Sequence, residues 1–126
     1  MQKGDAMTIE YREDDATRTA EILVSGKITV EDYIAAVEPM QAFIDRHGTV
    51  KFIEIIESFS GVDSLVLWPG IKFDWKNISK ISHVAVVSDL GWVGPMSKAA
   101  GALISSDVRF FEMDDLEAAR AWVKQA

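Results

Sequence analysis

Apolar and polar residues alternate in the first part of the chain, which is the pattern of a strand with one buried face. Ile9 and Tyr11 lie on one side of the first such segment, and residues 20–24 repeat the same period of two. The intervening residues, 13–17, are polar and rich in turn formers. We therefore predict two strands joined as an antiparallel hairpin, after a loose terminus of residues 1–7.

The strongest pattern is a helical stripe in residues 30–44, whose apolar members recur at intervals of three and four. Thr29 precedes the stripe as a suitable N-cap, and Gly48 follows it as a suitable stop. Pro39 lies inside this helix and removes one backbone donor, so a kink near Ala35 is expected. The members of the stripe are Val30, Tyr33, Ile34, Val37, Met40, Phe43 and Ile44.

Three further apolar segments lack a helical period and predict strands. Residues 51–56 and 83–88 are apolar at successive positions, as in a strand that is covered on both faces. Residues 108–112 predict the last strand. Residues 57–64 are polar, contain a glycine and predict a loop.

Three more helices are predicted after the loop. In the first of them the Pro69-Gly70 pair interrupts the helical spacing, so one bent helix and two short helices both remain open. The second begins near Trp92 and has a small-residue face that would lie close against a sheet. The third is capped by Asp114, with Glu117 at the capping-box spacing. The predicted inner residues of the second helix are Trp92, Met96, Ala99, Ala100 and Leu103.

The order of elements is β-β-α-β-α-β-α-β-α. Alternation of strands and helices predicts an α/β fold with a mixed, mainly parallel five-stranded sheet, an N-terminal antiparallel hairpin and about four helices. No linker or internal repeat divides the chain, so residues 1–126 are predicted to form a single domain.

The composition, 48% hydrophobic and 26% charged, is that of an ordinary globular protein. The net charge of −7 argues against a nucleic-acid partner, which requires a basic patch. No apolar stretch approaches the ~20 residues needed to cross a bilayer, and no secretory signal is evident. We therefore expect a cytoplasmic protein without integral membrane association. The absence of cysteine excludes disulfides, thiol catalysis and thiolate metal sites.

Three segments carry a family resemblance. The first is residues 26–33, Gly-Lys-Ile-Thr-Val-Glu-Asp-Tyr, and the second is residues 84–89 with Trp92 three positions later. The third is residues 108–111 followed by 117–122, Glu-Ala-Ala-Arg-Ala-Trp. In order and spacing they resemble the SpoIIAA-like family of small bacterial proteins, related in fold to STAS domains. The resemblance implies a STAS-like α/β fold, similar to the CRAL-TRIO lipid-exchange fold. It offers no enzymatic activity to transfer, and we expect no cofactor.

The resemblance also draws attention to three serines. Anti-anti-sigma relatives carry a phosphorylatable serine at the start of the helix after the third strand. The corresponding region here contains Ser58, Ser60 and Ser64, which are the candidate regulatory serines. Asp63 and Ser64 are similar to the Asp-Ser pair of the signalling motif, but Leu65 stands where its Ser-Gly continuation would begin. Serine is equally suited to an ordinary cap or loop position.

Three tryptophans, Trp68, Trp75 and Trp92, fall in or beside helices that follow the parallel strands. Ligands bind at the carboxyl ends of the strands in sheets of this kind. Together with Phe59, these tryptophans are the candidate residues for binding a ligand or partner. They allow core packing, an apolar pocket or a homodimer contact.

The chain shows no catalytic or metal-binding constellation. Glu54 and Glu57 are expected to point to opposite faces, and they join Asp63 and Asp74 as solvated carboxylates with no partner for acid–base work. The two histidines are far apart, which is a poor basis for a metal site. We predict a non-enzymatic regulatory or protein-interaction domain that binds an unidentified protein through residues 57–75. The alternative is a small carrier or sensor of apolar, lipid-like molecules with a Trp-lined pocket.

Overall fold

The computed structural model describes residues 9–126, so the predicted loose terminus, residues 1–7, lies outside the described residues. The strands are β1 (Ile9–Asp14), β2 (Thr19–Val24), β3 (Lys27–Ile28), β4 (Val50–Ile56), β5 (Gly61–Val62), β6 (Ile81–Ser88) and β7 (Asp107–Phe111). The helices are α1 (Val30–His47), α2 (Ser64–Asn77), α3 (Val93–Gly101) and α4 (Leu116–Gln125). Short 3₁₀ turns, Ile78–Lys80 and Met113–Asp115, lead into β6 and α4.

The main sheet has five strands in the order β1-β2-β4-β6-β7. β1 pairs antiparallel with β2, and every other neighbouring pair is parallel. These strands and the four α-helices confirm the predicted α/β class and the N-terminal hairpin. A separate ribbon pairs β3 with β5 in parallel. Part of the predicted loop is therefore a strand, because a two-residue strand is too short to show a period in the sequence.

The core has two clusters, one on each face of the sheet, because successive side chains of a strand point to opposite faces. On one face, Phe43 and Ile44 of α1 pack with Phe52 of β4, and α2 contributes at the margin. On the other face, Ile53 of β4 packs with Val123 of α4. β4 is therefore covered on both sides, as its apolar sequence predicts.

Side-chain and glycine caps define the ends of α1. The Thr29 hydroxyl accepts a hydrogen bond from the Asp32 backbone N–H at 3.2 Å. At the other end Gly48 has a φ of 78° and its N–H donates to the Ile44 carbonyl at 2.7 Å. Glycine adopts this positive φ without steric cost, so both predicted ends of the helix are confirmed.

The segment containing Pro69 is one continuous helix. Its N-cap is Asp63, whose carboxylate accepts a hydrogen bond from the Leu65 N–H at 3.1 Å. Asp63 thus lies in the connection that leads into α2, at the surface of the fold, and has a capping role there. The carboxylate satisfies a backbone donor that the first turn of a helix leaves unpaired.

The prediction of which α3 residues face the sheet is wrong. The buried residues are Val93 and Ser97. A Cβ added to Gly101 would lie 3.1 Å from the Val108 Cβ, so glycine is what lets α3 approach β7 so closely. The helix therefore turns its glycine side inward and its larger apolar residues outward. The exposed residues are Trp92, Met96, Ala99, Ala100 and Leu103.

The predicted cap of α4 is also displaced. Asp114 lies within the 3₁₀ turn, and Asp115 occupies the N-cap position without a side-chain hydrogen bond. The Asp89 carboxylate instead accepts the Met113 N–H at 2.9 Å, which holds the entry to this turn. The capping-box spacing to Glu117 therefore does not mark the helix start, because the 3₁₀ turn moves the N-cap by one residue.

Candidate functional site

A cavity of about 420 Å³ lies between the sheet and helices α1 and α2. Val24 and Ile56, the last residues of the parallel strands β2 and β4, line its sheet side. Ala36 and Met40 of α1 and Val66 of α2 line the helical side. The cavity thus occupies the carboxyl edge of the sheet, and its volume lies within the range of small-molecule sites.

An aromatic pair stands at this cavity. Phe59 lies between β4 and β5, and Trp92 immediately precedes α3. Their ring centroids are 5.6 Å apart at an interplanar angle of 60°, an edge-to-face contact. Both rings line the cavity and remain partly open to solvent, with 39% of Phe59 and 47% of Trp92 exposed. The structure therefore brings two of the four predicted binding residues together.

The other two predicted residues, Trp68 and Trp75, lie apart from the cavity on the outward side of α2. Four apolar residues recur at helical spacing, and we call them the outer α2 face: Leu65, Trp68, Ile71 and Trp75. Of these four, Ile71 also lines the cavity. Their exposed fractions are 74%, 66%, 55% and 83%. The candidate residues thus form two groups, a pair at the cavity and a pair on the outer α2 face.

Glu54 of β4 corrects the expectation of a solvated carboxylate, because its side chain lines the apolar cavity and is only partly accessible. Burial, together with a smaller contribution from the charge on Asp74 of α2, raises the pKa of Glu54 to about 7. The pKa of Asp74 is raised as well, because the surrounding protein limits its solvation. A strand covered on both faces is the sequence signal that could have revealed this buried position.

Tyr33 of α1 is the third titratable side chain that lines the cavity. Burial raises the pKa of its hydroxyl, and the charge of Asp74 adds to this effect. The residues that line the cavity include no lysine, arginine or histidine. The interior is therefore apolar and carries only acidic or neutral polar groups.

The histidines belong to other parts of the fold. His47 contacts Asp15 at 2.7 Å near the end of α1, and His83 lies beside Trp122 with ring centroids 5.6 Å apart. Between residues 9 and 126, no group of three or more metal-ligating side chains occurs. In the same part of the chain, no helix is long and apolar enough to cross a membrane.

Comparison with known proteins decides the family. Residues 19–124 match the family model described as SpoIIAA-like. The chain belongs to the SpoIIAA-like family. A crystal structure of an uncharacterised DUF3478-family protein from Shewanella loihica PV-4, with a SpoIIAA-like fold, is similar to it with a TM-score of 0.74. The two are 18% identical over 91% of each chain, which shows a shared fold. No curated protein matches the chain.

SpoIIAA-like domains are regulatory or interaction domains at the level of the family, and the fold family is generally non-enzymatic. Partners of such domains are often proteins. This description fits a structure whose notable features are an apolar cavity and an exposed apolar helix face.

The three candidate serines of this SpoIIAA-like domain lie at the base of α2. Ser58 accepts a hydrogen bond from the Gly26 N–H at 2.9 Å through its hydroxyl, and Ser60 donates its N–H to the Gly26 carbonyl at 3.0 Å. Ser64 is the first residue of α2 and follows the capping carboxylate of Asp63. All three serines are exposed, and Ser58 and Ser60 join the segment after β4 to the one before β3.

Proposed function

We propose that this chain is a non-enzymatic protein-interaction domain that binds its partner through the outer α2 face. The observation that carries the proposal is the exposure of four large apolar side chains on one side of one helix, each more than half open to solvent. Contiguous apolar surface of this kind is characteristic of interaction sites on globular proteins. Two of the four are tryptophans, the residue type most enriched among those that dominate binding energy.

The test compares three baits in capture from a cell extract: the unaltered protein, a Trp68→Ser/Trp75→Ser double variant and a Leu103→Ser control. Leu103 is 85% exposed and lies outside α2, so the control removes apolar surface of a similar kind elsewhere. Support for the proposal is a protein retained by the unaltered domain and the control but lost by the double variant, and then reproduced with the purified partner. Equal retention by all three baits contradicts the proposal.

Self-association would bury the same helix face, and the homodimer prediction is tested with the same variants. Light scattering on the purified protein distinguishes a mass of 14.0 kDa from twice that value. A dimer that the double variant abolishes and the Leu103→Ser control retains makes a second copy of the chain the partner. A monomer at every concentration leaves a different protein as the partner.

The cavity favours a second candidate function, the binding of an apolar small molecule. Its volume of about 420 Å³, its apolar lining and its aromatic pair are the observations behind this candidate. Native mass spectrometry of protein purified from cells should show an added mass that disappears in an Ala36→Leu variant, whose larger side chain fills part of the cavity. Leu65→Ser, on the outer α2 face, is the matched control and should retain the added mass. A clean apo mass, with no binding of added apolar compounds, contradicts this candidate.

A further inference from the structure

The cavity has few polar side chains, and all of them are acidic or neutral. Glu54 comes from β4, Asp74 from α2 and Tyr33 from α1, so each wall of the cavity supplies one titratable side chain. The remaining lining is hydrocarbon, aromatic or glycine, and no cationic side chain is part of it. A ligand that enters this space therefore meets hydrogen-bond acceptors and negative charge, and it meets no group that would neutralise an anion.

The two carboxylates lack partners of their own. Within residues 9–126, neither Glu54 nor Asp74 forms a hydrogen bond or an ion pair with another residue. Glu54 is only partly accessible whereas Asp74 is exposed, so the cost of an unpaired carboxylate in apolar surroundings falls on Glu54. Both residues line the same cavity, and the charge on Asp74 adds to the rise in the pKa of Glu54. A positively charged group held beside Glu54 would relieve this cost, and the charge of Asp74 would add to the attraction.

We propose that the cavity selects apolar molecules that carry an ammonium group, which binds between Glu54 and Asp74 while the apolar part contacts Phe59 and Trp92. The proposal rests on the cavity's function as a small-molecule site and specifies the chemistry of its ligand. An ammonium group supplies donors for charge-assisted hydrogen bonds to both carboxylates. The aromatic pair at the cavity gives the apolar part a surface that is already assembled. Fatty acids and other anionic lipids are excluded, since their head groups would face two acidic side chains.

The test measures the affinity of three ligands with equal chains, decylamine, 1-decanol and decanoic acid, by calorimetry on the full chain near pH 8. The amine is protonated there, and Glu54 is largely ionised. We expect decylamine to bind about tenfold or more tightly than decanol, because its hydrogen bonds are charge-assisted, and decanoate to bind most weakly.

Variants separate the head-group interaction from the apolar contact. Glu54→Gln should bring decylamine to within about threefold of decanol while the affinity for decanol stays constant, and Asp74→Asn should act in the same direction. Glu57→Gln is the matched control, because Glu57 is exposed, lies three residues along the chain and is outside the cavity lining. It should leave all three affinities unchanged.

Lower pH gives an independent readout. Near pH 5.5 Glu54 is protonated in the free protein, whereas Tyr33 stays neutral throughout the range. The affinity for decylamine should therefore fall, and the affinity for decanol should not change. If decanol binds as tightly as decylamine at both pH values, the ammonium preference is wrong and the apolar site stands. If none of the three ligands binds, the small-molecule function itself fails.

Discussion

Helices α1 and α2 lie on the same side of the sheet, yet they use their apolar residues in opposite ways. α1 buries Ala36, Met40, Phe43 and Ile44. α2 buries only Val66 and Asn77, and it leaves Leu65, Leu67, Trp68, Ile71 and Trp75 exposed. An apolar composition is therefore not evidence of burial in this molecule. The apolar side chains of α1 stabilise the fold, whereas most of those on α2 remain available for binding.

The difference follows from what each helix covers. α1 packs directly on the sheet, where Phe43 and Ile44 contact the Phe52 cluster. α2 lies beside α1 and over the cavity, so its inward side meets space as well as protein. Fully burying a large apolar side chain contributes roughly 1.5–3 kcal/mol, and α2 forgoes this contribution at several positions. We expect substitutions in the two helices to have very different effects on stability.

The largest expected effect is at the centre of the α1 interface. Phe43→Ala should lower the free energy of unfolding by about 3–5 kcal/mol, because the ring is fully buried and its removal leaves a cavity. Trp68→Ala, which removes a larger but mostly exposed ring, should cost less than about 1 kcal/mol. Urea denaturation of both variants measures the contrast. Equal losses would mean that the outer α2 face is part of the core.

A smaller effect is expected where the two helices are joined. Asn77 is fully buried, exchanges hydrogen bonds of 2.9 and 3.1 Å with the Gln41 side chain, and donates to the Phe73 carbonyl at 2.9 Å. Asn77→Ala should therefore cost about 2–3 kcal/mol. In a double-mutant cycle with Gln41→Ala, the two losses should add to more than the loss in the double variant. Strict additivity would show that the pair contributes nothing to the junction.

A pH-dependent effect is expected at the cavity that separates α2 from the sheet. The folded pKa of Glu54, about 7, exceeds its ordinary value of 4.5, so the folded state binds this proton more tightly than the unfolded state does. The contribution of Glu54 to stability should therefore be greatest when the pH is below the ordinary value, and it should be lost as the pH rises through about 7. Glu54→Gln removes this loss and should be more stable than the unaltered protein by about 2 kcal/mol near pH 8.

The comparison is made by urea denaturation across this pH range, with Glu57→Gln as the control. The advantage of Glu54→Gln should disappear below about pH 4.5, where the unaltered side chain is protonated in both states. An advantage that does not depend on pH would show that the effect is one of packing and does not arise from ionisation.

The smallest expected effect is a gain in stability. Gly70 lies inside α2, and a Cβ added there would meet the Tyr33 ring at 3.9 Å, which is an ordinary contact. Gly70→Ala should therefore stabilise the protein by about 0.5–1 kcal/mol, since alanine restricts the unfolded chain and favours the helix. Gly48→Ala is the contrasting control and should destabilise, because the φ of 78° is strained for alanine. Thermal unfolding of both variants shows whether each substitution raises or lowers stability.

The sequence predicts the fold well where local and tertiary requirements agree. Thr29 and Gly48 mark both ends of α1 because capping is a short-range property that the residues themselves satisfy. The strands β4 and β6 are evident because burial on both faces demands apolar side chains at successive positions. The order of segments then suffices to indicate a sheet with crossover helices.

The candidate site is less predictable because it depends on which side of each helix faces inward. Trp92 and Trp68 look equivalent in the sequence, yet one lines the cavity and the other lies on the outer α2 face. On α3, close approach at Gly101 decides the inward side and overrides the apolar period. Glu54 is equally hard to predict, because only the position of the cavity distinguishes it from a solvated carboxylate.

The attachment of α2 at both ends determines how the cavity can open. At its start, the Asp63 N–H bonds to the Ile28 carbonyl at 2.8 Å, next to the ribbon that also leads into α1. At its end, Asn77 is bonded to Gln41. Moving α2 away from the sheet would therefore require breaking the hydrogen bonds at one of its two ends. Rotation of the Phe59 and Trp92 rings, which line the cavity, would leave both attachments intact.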